Sequence, residues 1–297
     1  MKKTTFYKLM LLLVAIIWGG GFPATKIALN TGMEPNAIMC IRFLVASLLI
    51  FIFLIIKKVK ITKSEAKLGL GAGIILGLAF SFQTVGLKYT TTSKNAFITG
   101  VYVTLVPFFL WMMTKKKPKF IVYLSSFICL IGIGLLSLNG DLSMKYGDLL
   151  TLICAIFFAL QISIIGANIG NQNPVVINAF QMLSGGLVTL FLNIFFEGFS
   201  IIHNEIVGVQ IIAIGFLILF NTLFAYLVQT IAQKYVASST AALILSGEIV
   251  FAVILSIIFF NEVLTPRILI GGGLIFLSVI LAESNLDFTK FLKNRIE

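Results

Sequence analysis

Ala79-Phe80-Ser81-Phe82-Gln83-Thr84-Val85-Gly86-Leu87-Lys88-Tyr89 recurs later in the chain as Ala225-Tyr226-Leu227-Val228-Gln229-Thr230-Ile231-Ala232-Gln233-Lys234-Tyr235. Ala, Gln, Thr, Lys and Tyr hold the same places in both stretches. At the same spacing Ala96 pairs with Ala242 and Tyr102 with Glu248, and upstream Pro35 with Arg42 parallels Pro174 with Gln181. Self-similarity on this scale marks a duplicated architecture. The expected units are residues 1–140 and 146–284, followed by a tail at 285–297.

The composition says where such a duplicated chain resides. Of its 297 residues 59% are hydrophobic and 11% charged, and its mean hydropathy is +1.07. Soluble domains average roughly 45–50% apolar and about 25% charged residues. A water-soluble enzyme is excluded, because a fold of this length cannot keep that much apolar surface from water. The 28 Phe and the absence of a glycine period exclude disorder and collagen.

A spanning helix needs about 20 mostly apolar residues. Ten runs qualify: Tyr7–Leu29, Asn36–Ile56, Leu68–Leu87, Asn95–Met113, Phe120–Leu138, Asp148–Ala167, Val175–Phe196, Val207–Thr230, Ser238–Phe260 and Arg267–Ala282. Turn and charge signals such as Asn30-Thr31-Gly32, Lys57-Lys58, Lys115-Lys116-Lys117-Pro118, Asn139-Gly140-Asp141, Asn171-Gln172-Asn173-Pro174 and Thr265-Pro266 separate them. Five spans per half is an odd number, so the second half enters the bilayer from the opposite face. The expected fold is an all-α membrane protein, ten transmembrane helices arranged as two inverted five-helix repeats, a common device of secondary transporters.

The net charge of +11 comes from 22 Lys and Arg against 11 Asp and Glu. Sixteen of the basic residues fall in gaps on the side of the N-terminus, five on the other side, and Arg42 lies inside a span. This bias predicts a multi-pass protein of the cytoplasmic membrane with both termini cytoplasmic, and it explains the charge without nucleic acid. Cys40, Cys129 and Cys154 lie inside apolar runs without ligand spacing, and His203 is the one histidine. Neither a zinc site, a disulfide framework nor a histidine triad is expected. Gly69-Gly73-Gly77 and Gly271-Gly272-Gly273 lack the Lys-Ser/Thr of a phosphate loop and read as close-packing faces. No cofactor is expected, and the sequence does not imply an oligomer.

Glu248 is the leading site candidate. It lies about ten residues into its span, at roughly 15 Å depth. An ionisable group there costs at least about 2.5–3.5 kcal/mol, so it should face a cavity or a partner. It is the proton-coupling candidate and a contact for a substrate cation; the competing reading is a structural carboxyl that holds neighbouring spans. Trp18 lies at similar depth beside Gly19-Gly20-Gly21 and Pro23. A span interrupted by Gly and Pro points to a transporter site, although the glycines equally suit close helix packing. Tyr102 matches Glu248 in the repeat and, with Thr99 and Thr104, either lines the cavity or packs within it. Arg42 either meets an anionic substrate group or snorkels to the headgroups, and Lys26 reads the same way. Gln83 and Gln229 are the repeat pair, placed near span ends, where capping or inter-helix hydrogen bonds compete with substrate contact.

These pieces resemble the drug/metabolite transporter superfamily, in particular its ten-helix EamA-type members. The resemblance covers about residues 7–284 and is carried by Trp18-Gly19-Gly20-Gly21-Phe22 with Lys26, Ile41-Arg42-Phe43-Leu44-Val45-Ala46, and Asn95-Ala96-Phe97-Ile98-Thr99-Gly100 with Pro107. Glu248 and Phe260-Asn261-Glu262 with Leu264-Thr265 complete it. Proline often follows the glutamate in that family, whereas Ile249 follows it here, which puts the associated helix break in doubt. The resemblance implies two EamA-type repeats and a carrier, often an exporter, of amino acids or other small metabolites. The expected function is alternating-access transport of an amino-acid-like or amine metabolite across the bilayer, with proton coupling open. A channel or lipid flippase is the alternative. An intramembrane enzyme is disfavoured, because one glutamate without a second acid or a histidine is poor catalytic equipment.

Overall fold

A chain of this composition shows apolar side chains to its surroundings and hides polar ones. The structure is a computed structural model that describes residues 3–115, 117, 120–137, 144–199, 208–263 and 265–283. Among them Ile55, Phe196, Ile212 and Val263 are exposed, while Arg42, Asp148, Gln161, Gln181, Asn221 and Glu248 are buried. The Asn139-Gly140-Asp141 break, His203, Leu264, the tail 285–297, Lys2, Lys116, Pro118, Lys119 and the span ends Leu138 and Val207 lie outside the described residues.

Every element among the described residues is helical. The first half holds α1 (Lys3–Asn30), α2 (Pro35–Ile56), α3 (Lys63–Tyr89), α4 (Thr92–Thr99), α5 (Tyr102–Thr114) and α6 (Phe120–Ser137). The second half holds α7 (Tyr146–Asn168), α8 (Pro174–Glu197), α9 (Gly208–Phe216), a π-helix (Leu217–Phe224), α10 (Ala225–Ala232), α11 (Ser238–Leu245), α12 (Glu248–Phe260) and α13 (Pro266–Glu283). Pro35 and Pro174 both open their helices, where a missing N–H costs nothing. Thr62 and Glu65 form a reciprocal capping box at the start of α3.

Eight stretches are long and apolar enough to cross a membrane, among them the composite ones Thr92–Thr114, Gly208–Ala232 and Ser238–Phe260. In the expected spans Phe120–Leu138 and Arg267–Ala282 the described apolar stretches are shorter, Tyr123–Gly132 and Leu269–Ser278. Among the described residues eight of the ten expected spans meet that length, and the other two contain the helices α6 and α13.

Three of the expected spans are not uniform helices: one contains the π-helix, and the other two contain a tighter turn. Between α4 and α5, Val103 N–H bonds to Gly100 O at 3.2 Å and Thr104 N–H to Val101 O at 3.0 Å. Between α11 and α12, Ile249 N–H bonds to Ser246 O and Val250 N–H to Gly247 O, both at 3.1 Å. Bonds from residue i+3 to i mark a 3₁₀ turn. The two turns fall at matching repeat positions, and α12 begins at Glu248 as α5 begins at Tyr102. The second turn therefore forms without the proline that the resemblance associates with it. Each contains a glycine, Gly100 or Gly247, the poorest helix former after proline.

Glycines set how closely the helices approach. A Cβ at Gly69 would lie 2.4 Å from Ile177 O, at Gly73 2.2 Å from Gln181 O, and at Gly77 2.8 Å from Gly185 O, all on α8. That series packs α3 tightly onto the second half, as expected of a small-residue face. In α1 the helix runs unbroken through Gly19-Gly20-Gly21 and Pro23. The local weakening weighed for this stretch is absent; a Cβ at Gly19 would lie 2.9 Å from Glu248 O and one at Gly21 2.2 Å from Asn221 Nδ2. The glycines admit α12 and the π-helix against α1.

Three carboxylates of the second half hold helix starts or loops of the first. Glu197 accepts from Asn36 N–H at 2.9 Å, Glu262 from Thr92 N–H at 2.8 Å, and Asp148 from Thr90 Oγ1 at 2.7 Å and Lys94 Nζ at 2.9 Å. Carboxylates at helix N-termini satisfy otherwise orphaned N–H groups and the positive end of the helix dipole.

Candidate functional site

Elements from both halves converge on one cavity, lined by residues of α1, α2, α3, α4, α5, α7, the π-helix, α10 and α12. Trp18, Arg42, Gln83, Thr99, Tyr102, Gln229 and Glu248 all line it. Gln83 and Gln229 lie near the ends of α3 and α10, as expected, and both line the cavity as well. Gln83 Nε2 does donate to Thr99 Oγ1 at 3.2 Å, so the inter-helix bond expected of it exists within the cavity wall. Thr104 is not on the wall; its hydroxyl donates back to Val101 O at 2.9 Å. Lys26 is also elsewhere, donating to Leu87 O at 2.7 Å and Thr90 O at 3.3 Å.

Glu248 sits at the first position of α12, directly after the 3₁₀ turn, and only 5% of it is exposed. A helix start stabilises a carboxylate through its dipole. Among the described residues no lysine or arginine forms an ion pair with it. Tyr102, its repeat counterpart, lies next to it with a buried hydroxyl that lacks a well-formed hydrogen bond.

Arg42 is 1% exposed, so the snorkelling reading is corrected. Its Nε donates to Thr222 Oγ1 at 2.6 Å and its Nη2 to Asn221 Oδ1. The guanidinium carbon stands 4.7 Å from the centre of the Phe80 ring, a cation–π arrangement. No carboxylate among the described residues pairs with it. Its repeat counterpart Gln181 accepts from Gln161 Nε2 at 3.2 Å instead.

Trp18 Nε1 donates to Asn221 O at 3.0 Å, which gives its indole N–H the polar partner a mid-depth Trp requires. Its ring lies 5.0 Å from that of Tyr226, which neighbours Phe80 at 5.9 Å; Phe80 meets Phe158 edge-on at 5.0 Å. These four rings form an aromatic wall. Two buried polar atoms of the lining, Gln161 Oε1 and Gln229 Oε1, lack a protein partner, and Tyr102 Oη has only Glu248 beside it, without a well-formed bond. Buried polar groups of this kind are normally satisfied by water or a ligand. The cavity therefore offers one guanidinium, one carboxyl, an apolar aromatic wall and spare hydrogen-bonding capacity.

The sequence reading passed over Asn221, Gln161, Phe80, Phe158 and Tyr226. For two of them a signal was present: Phe80 and Tyr226 are matching aromatic positions inside the repeated stretch. Asn221 also stood out as an amide inside an apolar run from Ile211 to Leu223.

Comparison with known proteins supplies the wider setting. A model of the EamA-like transporter family matches residues 5–138 and again 145–283. An uncharacterized transporter of Archaeoglobus fulgidus is 36% identical over 281 residues, covering 95% of this chain and 87% of the relative. The uncharacterized transporter YyaM of Bacillus subtilis is 25% identical, covering 98% and 97%. The uncharacterized inner membrane transporter YedA of Escherichia coli is 25% identical over 75% and 74%. A protein of known crystal structure shares the fold at a TM-score of 0.68 over 98% of both chains, with 15% identity.

Proposed function

This chain belongs to the EamA-like transporter family, membrane transporters rather than enzymes, and from that premise we propose that it carries a small zwitterionic, amino-acid-like metabolite out of the cell by alternating access. The observation that carries the reading is the presence of a buried guanidinium and a buried carboxyl on one cavity, Arg42 and Glu248, neither held in an ion pair among the described residues. A buried charge without a counter-charge is costly. A substrate carboxylate at Arg42 and a substrate ammonium at Glu248 would relieve both costs at once. Gln83, Gln229, Thr99 and Tyr102 supply further polar contacts, and Trp18 with the aromatic wall takes the apolar part of the substrate.

The remaining elements of the reading follow from the sequence. Two five-helix repeats, 1–140 and 146–284, of opposite orientation would rock about this cavity. The Lys/Arg bias supports cytoplasmic termini and a cytoplasmic tail at 285–297. Export is the direction that the family resemblance implies. Glu248 is the group suited to coupling, because a carboxyl at mid-depth can take a proton from whichever side the cavity opens to and exchange it for an ammonium.

The test is uptake and counterflow in proteoliposomes with labelled L-amino acids and amines, with and without a pH gradient. Saturable flux that accelerates with the gradient is expected. Absence of saturable flux for every compound would overturn the transport reading; flux indifferent to the gradient would overturn the coupling alone.

A further inference from the structure

Residues 217–224 form a π-helix in the span that carries the second copy of the repeated stretch. The corresponding stretch of the first half lies within the regular helix α3. A π turn shifts the helical register and releases backbone carbonyls from the ordinary ladder, and such turns concentrate at functional sites. Here Asn221 O accepts from Trp18 Nε1 at 3.0 Å, and Asn221 Nδ2 donates to Ile17 O at 3.1 Å. Those contacts orient the amide, so that its oxygen faces Arg42 Nη2. The absence of a side chain on Gly21 leaves the room this arrangement needs. Four residues before Ala225 the chain has Asn221; four before Ala79 it has Ile75. The amide therefore belongs to one half alone, as does the arginine it holds.

The company Arg42 keeps is neutral throughout. Its donors meet Thr222 Oγ1, Asn221 Oδ1 and, at 3.7 Å, Met39 Sδ, and its plane lies by the Phe80 ring. Arginine has five N–H donors in a fixed fork. Three are committed to these neighbours, and the other two are left for the cavity that Arg42 lines. Neutral acceptors fix the fork without cancelling its charge. An acid at position 221 would fix it equally well and would cancel it.

We propose that Asn221 is a specificity-determining positioning residue: the π turn holds its amide so that Arg42 presents an oriented, uncompensated guanidinium to a substrate carboxylate. The inference rests on the zwitterion reading above and goes beyond it, since it makes the identity of residue 221 the selector between carboxylate-bearing substrates and bare amines.

The experiment compares wild type and Asn221→Asp in proteoliposomes. The probes are the twenty L-amino acids and the amines formed from them by removal of the carboxyl. In wild type the amino acids are preferred. In Asn221→Asp the internal ion pair replaces the substrate's carboxylate, so KM for the amino acids rises about tenfold or more while kcat stays within about twofold, a loss of at least about 1.4 kcal/mol in binding. KM for the matching amines is unchanged or lower. A merely structural fault would depress both substrate classes together. A second variant, Asn221→Ser, keeps a neutral acceptor and retains the amino-acid preference at reduced affinity. Wild type preferring amines would overturn the zwitterion reading, and this proposal with it. Wild type preferring amino acids, with that preference intact in Asn221→Asp, would overturn this proposal alone. Loss of folded Asn221→Asp protein shifts the decision to Asn221→Ser, for which a raised KM for the amino acids with KM for the amines unchanged would support the proposal, and unchanged KM values for both classes would overturn it.

Discussion

Gly100-Val101-Tyr102 and Ser246-Gly247-Glu248 occupy the same place in the two halves and make the same 3₁₀ turn at the head of a new helix. Even the far ends of those helices agree: α5 closes on Lys115 and α12 on Asn261, both in the left-handed conformation. Yet one turn ends in a neutral phenol and the other in a carboxyl, and Arg42 of the first half answers to Gln181 of the second. Backbone geometry, fixed by local propensity and by what packs across the bundle, has stayed alike. The charges have not. The duplication supplies a similar frame in each half, whereas the zwitterion proposed above as substrate would need an asymmetric set of groups, because it has two different ends.

Making the halves more alike should therefore damage function first and structure only where packing is tight. The largest effect is expected from Glu248→Gln, which leaves the second turn as neutral as the first. Transport should fall about a hundredfold, corresponding to about 2.7 kcal/mol, and the remaining flux should no longer respond to a pH gradient; assays with and without the gradient give both numbers. Arg42→Gln, which copies Gln181, should come next, with affinity for amino acids lowered about thirtyfold, or about 2 kcal/mol. Decarboxylated amines should lose much less. An equal loss for both classes would mean that Arg42 braces α2 against the π-helix and does not read the substrate.

Gly86→Ala copies Ala232 of the repeated stretch. The new Cβ would lie 2.7 Å from Thr151 Oγ1 and 2.8 Å from Gly147 O. Backbone cannot yield as a side-chain tip can, so overpacking of about 1–2 kcal/mol is expected, read as a lower unfolding midpoint in detergent. Gly71→Ala on the same helix meets nothing within 4 Å and should be neutral or stabilising, because alanine is the better helix former.

The residues themselves explain what could be read from the chain. Hydropathy runs and the repeated Gln-Thr and Lys-Tyr pairs depend only on local order, so the helical membrane fold and its duplication were visible. Glu248, Trp18 and Tyr102 stood out because depth along an apolar run is a matter of counting. Arg42 was harder, since burial and snorkelling differ only in what lies opposite, and Thr222 and Asn221 come from a distant part of the chain. The π-helix left no pattern at all in Leu217–Phe224, because a register shift is chosen by tertiary contacts such as those of Asn221 with Trp18 and Ile17. Packing of α6 against α13, where a Cβ on Gly132 would lie 2.7 Å from Gly271 O, was likewise beyond the chain's local order, because it joins residues more than a hundred positions apart.

The smallest expected effect probes the point where the two turns touch. A Cβ on Gly100 would lie 2.3 Å from Ile249 Cδ1, so the first turn rests on the residue that follows the second. Gly100→Ser copies Ser246, whose own hydroxyl donates to Leu243 O at 2.6 Å. The clash is with the tip of a flexible side chain, which can turn away, so the stability cost should stay near or below about 1 kcal/mol. Ile249→Val copies Val103 and deletes the offending methyl. Residues in direct contact couple, whereas independent ones add. The double variant should therefore be more stable than the sum of the singles by about 0.5–1 kcal/mol, measured as a double-mutant cycle of unfolding midpoints. Strict additivity would mean that the two turns are energetically independent, and the proposed rocking of the halves would then need a contact other than this one to link the Tyr102 and Glu248 turns.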